Sequence, residues 1–163
     1  MPRVDATLIA EMFDRHAAAL ALYASQWTSL PDDCVQEALV ELARQSTAPD
    51  NPPARLFRVV RSRALNASRG ERRRATHEQA AAKVRAARSP VTSDPAASAG
   101  LNDSLATLDS TAREIVVLRV WGALSWKEIA DVVGGSKSSA QRNYVQALEQ
   151  LRQHWEPRSC PTN

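Results

Sequence analysis

Apolar residues recur at helical steps along most of the chain, and no stretch reads convincingly as a strand. In residues 7–27, "TLIAEMFDRHAAALALYASQW", the residues Leu8, Ile9, Met12, Phe13, Leu20, Tyr23 and Trp27 keep helical spacing, with alanines between them that favour helix. "SLPDD" interrupts the pattern. Pro31 suits a first helical turn, and Asp32 and Asp33 suit the positive end of the helix that follows. Val35, Ala38, Leu39 and Leu42 mark its apolar side, and "STAPDNPP", residues 46–53, reads as a loop. The spacing predicts a third helix over 54–69, "ARLFRVVRSRALNASR", with Gly70 ending it. At about 100° per residue, Leu56, Val59, Val60 and Ala67 share roughly one third of its circumference, opposite Arg58, Arg61 and Arg69. Arg63 intrudes on the apolar side and Leu65 on the basic one.

Residues 77–100 have no aromatic residue and little large aliphatic content. They are too poor in apolar surface to form a domain and read as a linker. Beyond them, Leu101, Leu105 and Leu108 mark a short helix. Thr111 and Glu114 have the spacing of a capping box before the buried run "IVVLRVWG", and Ser125 and Glu128 have it before "WKEIADVVG". Gly134 and Gly135 stop that helix, and a last one runs from about Lys137 to Trp155 with Ala140, Tyr144, Leu148, Leu151 and Trp155 along one side. The expected fold class is therefore all-α, with two small helical domains joined by a flexible linker. Their expected limits are 1–76 and 101–156, with 77–100 between them and 157–163 as a tail.

The charge distribution changes how these helices are read. The whole chain of 163 residues is only +3, but residues 1–50 carry eight acids against Arg3, Arg15 and Arg44, whereas residues 51–76 carry eight arginines against Glu71 alone. Such a local basic block points to a polyanion or to a solvated arginine-rich face. Cys34 and Cys160 lack metal-ligand spacing, and the histidines His16, His77 and His154 are scattered. No metal, cofactor or catalytic constellation is expected, and enzymes are the least favoured class. No apolar run approaches the roughly 20 residues of a membrane span, and the acids near the N-terminus do not suit a signal peptide. The expected location is cytoplasmic, with no membrane partner.

Residues 125–152, "SWKEIADVVGGSKSSAQRNYVQALEQLR", have the form of a helix-turn-helix. Ala130 is small where the helices cross, and Gly134 permits the turn. Ser138, Ser139, Arg142 and Gln146 project from the second helix, with Lys137 beside them. Arginine can grip guanine, glutamine can pair with adenine, and serine or lysine can hold phosphate.

"LATLDSTAREIVVLRVWGALSWKEIADVVGGSKSSAQRNYVQALEQLR", residues 105–152, resembles the C-terminal promoter-binding domain, region four, of extracytoplasmic-function sigma factors of bacterial RNA polymerase, and the whole resemblance covers about residues 7–155. "DDCVQEALVELA" and "LFRVVRSRALNASRGERRR" resemble segments of their region two, in the expected order. The resemblance implies a transcription initiation factor whose partners are bacterial core RNA polymerase, double-stranded promoter DNA with its opened non-template strand, and an anti-sigma factor. It implies polymerase contacts at Asp33, Gln36, Glu37, Leu39 and Leu42. It places Arg55, Arg58, Arg61, Arg63, Asn66 and Arg69 along the −10 element. It assigns the −35 element to Lys137, Ser138, Ser139, Arg142 and Gln146. Many family members have Trp where Arg55 stands and Asp where Asn66 stands, and the loop 46–53 has no aromatic residue. The alternative is a free-standing helix-turn-helix regulator that is not a sigma subunit.

Overall fold

The structure, a computed structural model, describes residues 3–79 and 95–155, with 79 and 95–99 by backbone only. Among the described residues it has seven α-helices and no strand: α1 Ala6–Ala24, α2 Pro31–Ala43, α3 Pro52–Gln79, α4 Pro95–Ala106, α5 Ser110–Val120, α6 Trp126–Val133 and α7 Lys137–Trp155. No helix among them is long and apolar enough to cross a membrane. Helices α1–α3 pack as one unit and α4–α7 as a second.

Local chemistry explains most boundaries. The Asp5 carboxylate caps α1 by accepting from the Leu8 N–H at 2.8 Å. Pro31 opens α2, with Asp32 and Asp33 in its first turn. α3 departs from expectation, because Gly70 does not end it and the helix continues nine residues further, to Gln79. A mid-helix glycine costs only about 1 kcal/mol, and Glu71 supplies an anchor. Its carboxylate accepts from Thr28 Oγ1 at 2.6 Å, Ser29 Oγ at 3.0 Å and the Ser29 N–H at 3.2 Å. The one acid in the basic block thus ties the continuing helix to the α1–α2 loop. α4 in turn starts at Pro95, inside the stretch expected to be linker. Residues 80–94 and the tail beyond Trp155, including Cys160, lie outside the described residues.

A single apolar core runs through both units. Tyr23 packs edge-on against Trp27 and Phe57, at 5.0 and 5.4 Å between ring centroids. Leu20, Leu56 and Val60 fill the space around them without exposure, and Ile115, Leu118, Leu124 and Ile129 do the same in the second unit. The units meet at Gly122, in the turn between α5 and α6. A Cβ there would lie 3.0 Å from the Phe57 ring and 2.6 Å from the Leu118 carbonyl oxygen, so glycine is what lets the turn approach α3.

Candidate nucleic-acid interface

The helix-turn-helix is held by capping at both of its N-termini. Ser125 and Glu128 form the capping box expected of them: the Ser125 N–H donates to Glu128 at 2.7 Å and the Glu128 N–H to Ser125 Oγ at 3.4 Å. Burial works against the Glu128 carboxylate, but hydrogen bonds from Ser125 and Asn51 outweigh it and hold its pKa below the ordinary value. Gly134 and Gly135 turn the chain at φ of 80° and 139°, where a side chain would be strained. Ser136 then caps α7, accepting from the Ser139 N–H at 3.1 Å. Ile129, Ala130, Val132 and Ala140 are buried at the crossing. Trp126 packs on Tyr144 at 5.2 Å, and the Arg119 guanidinium lies over the indole at 4.6 Å. Trp126 is thus a brace for the hairpin.

This bracing leaves the outer face of α7 clear. Lys137, Ser138, Arg142 and Gln146 are exposed and Ser139 is half-buried, all within the first half of the helix. Among the described residues, neither Lys137 nor Arg142 has a hydrogen bond or ion pair. Ser138, Ser139, Arg142 and Gln146 therefore share one face of the helix, with Lys137 at its N-terminal end.

The basic helix α3 divides its arginines between two directions. Arg58, Asn66 and Arg69 are exposed and line a cleft of about 260 Å³ with Arg61, Leu65 and Val132 of α6. Arg72 and Arg73 extend the strip beyond Arg69. Arg55 and Arg63 turn instead toward α2. Arg55 pairs with Glu41 at 3.0 Å, and Arg63 with Glu41 at 3.0 Å and Glu37 at 3.6 Å. The structure thus separates these two from the four other residues assigned to the −10 element. Carboxylates on the facing helix draw them away.

On α2, Asp33, Gln36, Glu37 and Val40 are exposed and border a shallow hollow completed by Glu41, Arg44 and Arg63. Leu39 and Leu42 do not belong to that surface. At 8% and 1% exposure they are core residues, on the opposite side of the helix from Glu37 and Val40. Their assignment as partner contacts is corrected accordingly.

Residues 100–151 match the family model for sigma-70, region 4. The fold matches solved sigma-factor structures over nearly its whole length. One is the sigma factor RpoE in co-crystal with the anti-sigma factor NepR from Bartonella quintana. It is 19% identical over 93% of this chain and 99% of that chain, with a TM-score of 0.68. Another is CnrH in complex with the cytosolic domain of CnrY, 25% identical over 92% of this chain and 88% of that one, with a TM-score of 0.61. The chain is thus similar to sigma factors in sequence over residues 100–151 and in fold over nearly its whole length. No curated protein matches it in sequence.

One part of the structure was missed in the sequence. Glu114 does not close a capping box with Thr111. Asp109 caps α5 instead, accepting from the Ala112 N–H at 2.9 Å. Glu114 is 4% exposed and points to the other unit. The Tyr23 hydroxyl donates to its Oε2 at 2.9 Å, Arg61 Nε donates to the same oxygen at 2.8 Å, and Arg61 Nη2 to Oε1 at 3.3 Å. Burial, and then the adjacent carboxylate, push the Tyr23 pKa far up, so the phenol stays a donor. The Glu114 hydrogen bond raises the Arg61 pKa against the effect of burial. A signal existed: Glu114 shares its helix face with Val117 and Leu118, both fully buried, and an acid on such a face needs a partner.

Proposed function

We propose that this chain is an extracytoplasmic-function sigma factor that joins core RNA polymerase through the exposed side of α2 and guides it to promoters through α3 and α7. In this reading Asp33, Gln36 and Glu37 form the polymerase contact, with Val40 and Glu41 beside them. Arg58, Arg61, Asn66 and Arg69 follow the −10 region, including the opened strand. Arg55 and Arg63 shape the α2 surface by holding Glu37 and Glu41. Lys137, Ser138, Ser139, Arg142 and Gln146 read the −35 region in the major groove. The protein works in the cytoplasm, catalyses no covalent reaction and needs no cofactor. An anti-sigma factor is a natural partner, since RpoE is in complex with one.

The observation that carries this reading is the α7 face formed by Ser138, Ser139, Arg142 and Gln146, with Lys137 at the end of the helix and both Lys137 and Arg142 unpartnered among the described residues. Each DNA surface alone is small. Both mounted on one polymerase gain effective concentration, and so avidity. Transcription in vitro with core polymerase and mapped start sites tests it. Start sites that appear only when the chain is added are expected. Identical products with and without it would end the proposal.

A further inference from the structure

The contact between the two units converges on the basic cleft of α3. Glu114 grips Arg61 with both carboxylate oxygens, at 2.8 and 3.3 Å. Val132 of α6 forms part of the same cleft's wall, Gly122 sits against Phe57, and the Asn51 side chain donates to Glu128. An arginine held by two oxygens in this way has the geometry by which arginine holds a phosphate. We propose that Glu114 is an internal stand-in for a DNA phosphate. In the free chain it occupies Arg61 and latches α4–α7 against α1–α3, and promoter DNA on the polymerase takes its place. This rests on the reading of α3 as a DNA surface.

The physical logic runs both ways. A buried carboxylate is tolerated only while paired, so Glu114 ties its own burial to closure of the units. Arg61 meanwhile is half withdrawn from solvent and already neutralised. The 15 residues between Gln79 and Pro95 could reach about 50 Å if extended, which allows the units to part. DNA that binds only the open form then shifts the population toward it. The apparent affinity of the free chain is lowered by the fraction that is closed.

Small-angle scattering of the free full-length chain reads closure. Anisotropy with a labelled duplex that carries a single-stranded segment reads access to Arg61. The natural sequence is expected near the radius of gyration of a compact chain of this size, roughly 15 Å. Glu114→Gln is expected to be larger and to bind this DNA about tenfold more tightly, the gain if roughly nine-tenths of the chain is closed. Adding Arg61→Ala to that variant should abolish the gain. Tyr23→Phe removes one hydrogen bond to Glu114 and leaves both charges, and should move both readings the same way by less. It also decides the matter if Glu114→Gln fails to fold. Variants as compact as the natural chain, or variants that open without binding DNA better, would overturn the proposal. Initiation by the natural chain with core polymerase is scored separately, so a failed promoter reading and a failed latch give different results.

Discussion

The two helices proposed to meet DNA, α3 and α7, differ in what their cations already hold. On α7, Lys137 and Arg142 have no partner among the described residues. On α3, Arg55, Arg61 and Arg63 are each paired with a carboxylate, from Glu41, Glu114 and Glu37. One helix is available as folded, and the other has much of its charge spoken for. A basic run in a sequence therefore says where positive charge is, but the acids folded against it decide how much of that charge a polyanion meets.

The largest expected effect tests what α3 is built on. Phe57 has no exposure, lies beneath the arginine face and supports both Tyr23 and Gly122. Phe57→Ala should cost roughly 3–5 kcal/mol of stability, as ring deletions from cores do. Urea denaturation followed by circular dichroism measures it. A loss below about 1 kcal/mol would mean that the two units do not share a core through this ring.

The next effect separates the helices by what they read. Arg142→Ala should lose roughly 1–3 kcal/mol of holoenzyme binding and relax base preference in the upstream element. Arg58, exposed and unpaired among the described residues, should behave as a phosphate contact: Arg58→Ala weakens binding on every sequence and lowers the salt slope by about one. Titrations against promoter variants at several salt concentrations compare the two. If both substitutions weaken all sequences equally, α7 is no more a reader than α3.

Much of this was legible in the sequence because it rests on short-range rules. Helical spacing, Pro31, the Ser125–Glu128 capping box and the glycine turn each depend on residues within a few positions of one another. The failures share the opposite cause. Thr111 and Glu114 fit a capping box by spacing, yet Asp109 is the cap, and Glu114 meets Tyr23 and Arg61 at separations of 91 and 53 residues. Gly70 fits a helix end, yet Thr28 and Ser29 hold Glu71 from more than forty residues away. Leu39 and Leu42 lay near the acidic residues in sequence, but helical geometry turns them into the core. Arg55 and Arg63 belonged to a basic run whose facing acids only the fold brings near.

The smallest effect distinguishes the units by pH. His16 lies on α1, and its Nδ1 is buried without a hydrogen-bond partner among the described residues. Burial, then the neighbouring Arg15, lower its pKa from the ordinary 6.5, while Glu11 opposes them. Folding thus favours the neutral ring. The unfolded chain binds more protons as pH falls through 6.5, so the contribution of His16 is intact above that value and is lost as pH falls through the lower folded pKa. Glu71 and Glu128 are also depressed, but from 4.5, so their losses belong to more acidic conditions. Between about pH 7 and 5, then, a modest decline in stability should come chiefly from α1. Denaturant midpoints across this range should fall for the natural chain and stay nearly level for His16→Asn. An equal decline in both would place the titrating group elsewhere and leave His16 only a space-filling role.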